Sequence, residues 1–179
     1  MSRIEKPGAR IARDWLISSP YETRPMAGLA QYAPIALRLI VGFGFMEHGY
    51  AKLARGPEDF TRILHALHMP FPELLAWGTI LVELLGGAAV LLGAFVTLAS
   101  IPMAAVLLVA IFTVHLPYGF SSIKLQAISA SGAAQFGEPG YETDLLYLAC
   151  LAALVLGGSG PWSIDAAIHR HVHRDDVYP

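Results

Sequence analysis

From Leu84 to Val114 the chain carries no charged side chain. With its flanks from Glu73 to His115, this stretch is too long for one bilayer crossing, which takes about 20 apolar residues, and it suits two. A soluble domain carries about 25% charged residues. This chain of 179 residues carries 15%, against 55% hydrophobic. The sequence therefore points to a membrane protein.

Hydropathy and the proline and glycine breaks divide the chain into an all-α membrane protein built as a four-helix transmembrane bundle. Span one runs from about Pro34 to Leu53, with Pro34 suited to a first helical turn. Gly56-Pro57 ends it. A short amphipathic helix follows in the first outer loop, Glu58 to Met69, with Phe60, Ile63, Leu64 and Leu67 at helical spacing. Span two runs from about Glu73 to Gly93 and span three from about Val96 to Leu116. The turn between them is so short that they must be antiparallel neighbours. Pro102 is expected to kink span three and Pro117 to end it. Residues 118–143 read as a Gly/Ser/Ala-rich loop without periodicity. Span four, about Asp144 to Gly158, is short and extends through Pro161-Trp162 into the interface. Residues 1–32 form a polar arm, in which Ile11, Trp15 and Leu16 suggest a short helix on the membrane surface. Residues 33–166 form the membrane domain, and 167–179 a polar, flexible, His-rich tail.

Lysine and arginine placement sets the orientation. With both termini cytoplasmic, the inner side carries Arg3, Lys6, Arg10, Arg13, Arg24, Arg170 and Arg174. The outer side carries Lys52, Arg55, Arg62 and Lys124. The first 32 residues lack the hydrophobic core of a signal peptide. A net charge of -2 without a basic block excludes a nucleic-acid partner. The single cysteine, Cys150, cannot form an internal disulfide or a Cys-x-x-Cys pair. Redox chemistry would have to use another group or another subunit.

The candidate site lies in the run Arg38 to Leu53, where Arg38, Glu47, His48, Tyr50 and Lys52 interrupt an otherwise apolar span. A charge in hydrocarbon costs roughly 2.5 kcal/mol or more, so polar side chains there are read as functional. At 100° per residue, Arg38, Phe45, Gly49 and Lys52 share one side of the helix with His48 flanking them, and Glu47 points nearly opposite to Arg38. Glu47 is read as a structural or subunit contact. His48 and Glu83 fall at similar depth in the outer half of the membrane. His115 ends span three on that side, and Glu142 and Asp144 arrive from the outer loop. The candidate catalytic residues are His48, Glu83, Lys52 and Arg38, with Arg38 deeper and needing a carbonyl or carboxylate of its own. The candidate ligand-binding residues are His115, Glu142 and Asp144. Such a set suits a metal ion, a proton path or a quinol hydroxyl. Imidazole and carboxylate fit iron, copper or zinc, and the spacing selects none. Gly86-Gly87, Gly93 and Gly157-Gly158 allow close helix packing. Tyr50, Trp77, Tyr118, Tyr147 and Trp162 lie near span ends as an aromatic belt would. The His169/His171/His173 alternation reads as a solvated tail rather than a metal site.

In order along the chain stand Leu37-Arg38, Gly42, Phe45, His48-Gly49, Lys52-Leu53, Phe60, Met69-Pro70 and Pro72. Glu83, Gly86-Gly87, Leu92-Gly93, His115, Phe120 and Gly140-Tyr141-Glu142 follow, then Leu145-Leu146, Gly158, Gly160 and Ser163-Ile164-Asp165. This ordered pattern, over about residues 33 to 166, resembles the DoxX family. The resemblance implies a four-helix protein of the bacterial inner membrane. Some members resemble subunits of quinone-linked oxidoreductases, including thiosulfate:quinone oxidoreductase and a terminal quinol oxidase. Others are linked to thiol and oxidative-stress complexes. The long N-terminal arm, the loop Gly137-Glu138-Pro139-Gly140 and the His-rich tail depart from the family pattern.

Three functions are compatible with the residues. The first is a subunit of a quinone-linked or stress-related redox complex, with quinone or a metal ion as cofactor and other subunits of the complex as partners. The second is a non-catalytic anchor or scaffold. The third is a small transporter or metal conduit, for which no internal repeat or paired broken helix speaks. The topology predicts that a cysteine introduced at Ser131 is labelled by an impermeant thiol reagent from outside, and that cysteines at Ser2 and Tyr178 are not. Outside labelling of either terminus would contradict it.

Overall fold

The computed structural model describes residues 28–129 and 132–172. The surface helix expected around Ile11, Trp15 and Leu16 lies outside the described residues, as does His173. The chain divides into two units, Met1–Gln31 and Tyr32–Pro179, and the description below concerns the second.

Helix α1 (Ala33–Arg55) has a proline in its first turn and ends at Gly56, whose φ of 100° breaks the helix. Helix α2 (Pro57–Ala66) restarts at Pro57, with Glu58 and Asp59 in its first turn, where a helix N-terminus favours negative charge. It is the amphipathic helix expected here, and it buries Leu64. The next column is α3 (Pro72–Leu81), a π-helical stretch Val82–Gly86 and α4 (Gly87–Leu92). The third is α5 (Val96–Ala110), a π-helical stretch Ile111–His115 and a 3-10 turn Leu116–Tyr118. Helix α6 (Glu142–Gly157) and helix α7 (Ile164–Val172) complete the described chain.

Three helices, Gly28–Arg55, Pro72–Leu92 and Val96–Tyr118, are long and apolar enough to cross a membrane. Helix α6, with 16 residues, is shorter. It rises about 24 Å, against a hydrocarbon core of about 30 Å. It packs against α1 and α5 as the fourth member of the bundle. The core consists of Val41 and Phe45 from α1, Val90 from α4, Val96, Met103 and Leu107 from α5, and Leu151 and Leu154 from α6. Large apolar side chains also cover the outside, among them Leu85, Leu98, Ile101 and Leu156, the last 88% exposed. Water would penalise that surface, whereas lipid would not.

Where α1 crosses α4, the backbones touch. A Cβ built on Gly42 would lie 2.8 Å from the Gly87 carbonyl oxygen, and one on Gly87 would lie 2.7 Å from the Gly42 oxygen. Small residues at such crossings are how membrane helices gain contact when no hydrophobic force separates helix from lipid. The turn from α4 to α5 is as tight as the sequence requires. Ala94 N–H bonds the Ala89 carbonyl at 2.8 Å and Gly93 N–H the Val90 carbonyl at 3.0 Å, the paired bonds of a Schellman end with Gly93 at φ 66°.

Arg38 locks this end of the bundle. Only 6% exposed, it donates to the carbonyls of Leu91 (2.8 Å), Ser159 (3.2 Å), Val90 (3.3 Å) and Trp162 (3.3 and 3.4 Å). Those carbonyls belong to the last turn of α4 and to the segment joining α6 to α7. Asp165 completes the lock. Its carboxylate accepts from the Phe95 and Val96 N–H groups at 2.7 and 3.2 Å, capping α5, and its own N–H donates to the Gly93 carbonyl at 2.9 Å.

Two regions differ from the sequence expectation. Residues 118–143 contain an antiparallel hairpin, β1 (Leu125–Ile128) with β2 (Ala134–Phe136), whose residues are all exposed. Exposure on both faces leaves no alternation of polar and apolar residues, and the backbone ladder alone marks the strands. The tail is helical through Val172, so His169 and His171 lie on α7 rather than in a flexible segment.

Gly93→Ala should lower thermal stability by about 1–2 kcal/mol or more, because φ 66° disfavours a Cβ and the added methyl would meet Arg38 Cζ at 2.8 Å. Thermal unfolding in detergent checks this, and an unchanged midpoint would contradict the lock.

Candidate functional site

The site forms at the opposite end of α1 from Arg38. Residues 38 and 48 are ten apart, about 15 Å of helix rise. Lys52 and Glu83 meet there. Lys52 Nζ lies 2.7 Å from both Glu83 carboxylate oxygens. The approach depends on Gly49, where a Cβ would lie 3.0 Å from Glu83 Cβ. Any larger residue would hold α1 too far from the second column for the pair to close. Phe60 of α2 covers the ammonium, its ring centre 5.2 Å from Nζ. Glu83 is 5% exposed and Lys52 only partly buried. Removal of either partner would leave the other charge uncompensated in a low-dielectric setting.

Glu83 and His115 share an origin. Each lies in a π-helical stretch, Val82–Gly86 and Ile111–His115. The wider π turn re-aims side chains relative to an unbroken α-helix, and such turns recur at functional sites. No residue type announces a π turn, so the depth of these side chains can be counted along the chain while their direction cannot.

His115 and Asp144 form a second pair, with Nε2 to Oδ2 at 3.9 Å, longer than a hydrogen bond and within ion-pair reach. The other ring nitrogen, Nδ1, lies 3.2 Å from the Pro139 carbonyl oxygen. A carbonyl only accepts, so Nδ1 carries the proton and Nε2 is the nitrogen that can take or release one toward Asp144. His48 also lies within electrostatic reach of Asp144. Lys52 and Glu83 cancel each other. Asp144 has no fixed cation among the described residues, and only a protonated imidazole or its own proton balances it. Its nearest charge partners there are the imidazoles of His115 and His48.

These five side chains line one cavity of about 270 Å³. Phe45, Leu107 and Tyr147 are among its apolar walls. Phe45 and Tyr147 pack edge to face at 5.6 Å, and the Tyr147 hydroxyl sits where Gly44 has no side chain. The volume lies just below the usual range of small-molecule pockets, about 300–1,000 Å³, and suits a single ring. His48 faces it without a hydrogen-bond partner among the described residues.

Glu142 takes another role. Its carboxylate accepts the Ser122 N–H at 3.0 Å, while Ser122 Oγ accepts the Thr143 N–H at 3.2 Å. The loop thus caps α6 from twenty residues away, and Glu142 clamps the loop rather than lining the cavity. Among the described residues no group of three or more His, Cys, Asp or Glu side chains converges to hold a metal ion. Glu47 is exposed on the far side of α1, as the helix wheel requires. The roles of Phe60, Pro139 and Tyr147 were not readable from spacing, because each acts through a partner distant in sequence.

Lys52→Met and Glu83→Leu should each cost up to about 3 kcal/mol, and the double substitution should recover most of that, because a well-packed apolar pair tolerates burial better than a lone charge. Thermal unfolding of the three variants tests the coupling; additive losses would contradict it.

Residues 33–116 match the model of the DoxX family. No curated protein and no solved structure matches the chain.

Proposed function

Taking residues 33–116 as a DoxX-family domain, we propose that the protein is a multi-pass subunit of a quinone-linked oxidoreductase of the bacterial inner membrane. In this reading it has four spans and both termini in the cytoplasm. The cavity between Lys52–Glu83 and Asp144–His115 takes the ring of a quinol. The observation that carries the reading is His48, an imidazole without a hydrogen bond among the described residues, lining an apolar cavity with the Lys52–Glu83 ion pair on one side and the His115–Asp144 pair on the other.

A quinol supplies two electrons and two protons when oxidised. His48 accepts the two hydroxyl protons of the bound ring in turn, passing the first on before it takes the second. Lys52 directs positive charge at the oxygen that loses the proton, while Glu83 holds the ammonium in place from behind. Asp144 takes the proton onward to His115 Nε2, and Pro139 keeps that nitrogen facing inward. The electrons leave through another subunit of the complex. The size of the cavity supports a single ring, and the donor set favours hydrogen bonding over a resident metal ion. Arg38, tied to four carbonyls about 15 Å away along the helix, belongs to the fold in this reading rather than to the chemistry. Glu142 likewise holds the loop.

Helix α6 supports the fourth span. Its 16 residues reach membrane width once Gly158 to Trp162 are added, and the exposed Trp162 suits the interface.

A purified complex reconstituted with a quinol tests the proposal. His48→Ala should lower turnover about 100-fold or more, and Asp144→Asn should do likewise, with the folded protein still in the membrane. His171→Ala should change neither. Full quinol binding and turnover in folded His48→Ala protein would overturn the reading. Loss of stability with unchanged activity per folded molecule would instead favour the anchor role.

A further inference from the structure

The outward stripe of α1 carries a charge that the fold does not explain. Ile40, Phe43, Glu47, Tyr50, Ala51 and Ala54 are all exposed. At 100° per residue they fall within a sector about 100° wide. The core face of the same helix, with Arg38, Val41, Phe45 and Gly49, lies opposite. Glu47 is eight residues from the helix end at Arg55, about 12 Å of rise, which puts it within the hydrocarbon rather than at the headgroups. It has no hydrogen bond or ion pair among the described residues, and Tyr50 has no acceptor for its hydroxyl. A carboxyl group in that position faces lipid in a lone chain. Membrane helices avoid this by pairing such groups across an interface.

We propose that this stripe is the contact surface with a second copy of the chain, and that each protomer's Tyr50 hydroxyl donates to the Glu47 carboxylate of the other. Both side chains lean toward the N-terminus, and the longer tyrosine reaches further, which brings its hydroxyl nearer the level of the carboxylate three residues earlier. In a two-fold dimer with its axis along the membrane normal, the two α1 helices run parallel and equal residues lie at equal depth. One surface then supplies both donor and acceptor, and symmetry makes the bond twice. A foreign helix would need a donor at that depth, whereas a second copy brings one necessarily. Ala51 and Ala54 let the backbones approach, and Ile40 and Phe43 fill the contact toward the other end. The interface leaves the cavity free, because His48 stands about 100° around the helix from Glu47.

The test uses the full chain in lipid nanodiscs and nonionic detergent. Mass measurement should show a dimer. Tyr50→Phe and Glu47→Leu should each weaken dimerisation roughly tenfold, as expected for the loss of two interhelical hydrogen bonds. Glu47→Gln, which keeps an accepting oxygen, should stay within a few-fold of the native chain. In a Cys150→Ser background, oxidation of native membranes should link Ala54→Cys between copies and leave Leu98→Cys, on an exposed face of α5, unlinked. The cross-linking arm keeps Glu47 and Tyr50 intact and so does not depend on the variants folding. A native chain that is monomeric at every lipid-to-protein ratio would overturn the proposal. So would Tyr50→Phe and Glu47→Leu chains that dimerise as the native one does, or equal cross-linking at Ala54→Cys and Leu98→Cys.

Discussion

The ion pair between Lys52 and Glu83 decides how the first two columns of the bundle can stand. Each charge alone would be intolerable at that depth, and together they draw α1 onto the π-helical stretch of the second column. Gly49 makes the approach possible by having no side chain, and Phe60 closes it from α2. The cavity is what remains beside this contact. Its apolar walls come from α1, α5 and α6, and its polar groups sit where those helices meet the pair.

The opposite end is held by different means. Arg38 satisfies carbonyls at the end of α4 and in the segment between α6 and α7, and Asp165 satisfies N–H groups at the start of α5. One buried cation and one carboxylate thus tie α1, α4, α5 and the start of α7 together without touching the cavity. Division of labour along a single helix follows: one α1 turn fastens the fold and another, about 15 Å away, furnishes the site.

Much of this was legible in the sequence, and the reasons differ by element. The uncharged stretch from Leu84 to Val114 and the break at Gly93 left two antiparallel crossing helices as the reading, and the structure has them. The period of an α-helix placed Arg38, Phe45 and Gly49 inward and Glu47 outward, and burial follows that pattern. Lys52 and Glu83 were expected in one network because depth can be counted in residues. Direction cannot be counted once a helix changes pitch, so the pairing of His115 with Asp144 through a π turn was beyond reach. The hairpin was missed because its exposed strands carry no periodic signal. The capping of α6 by Ser122 was missed because the two lie twenty residues apart, joined by hydrogen bonds and not by pattern.

The base of that hairpin has a role its tip does not share. Gly140 and Tyr141 donate to the carbonyls of Ser121 and Gly119 at 2.9 and 3.1 Å, and Glu142 N–H bonds the Phe120 carbonyl at 2.9 Å. A Cβ at Gly140 would collide with the backbone of residues 119 and 120. The bonds that aim Pro139 at His115 are therefore made outside the strands. Beyond them the ribbon touches nothing in the site. A single added methyl at the root would shift the carbonyl that orients the imidazole. The loop is a hinge plate with an ornament attached, and the plate alone sets the carbonyl at His115.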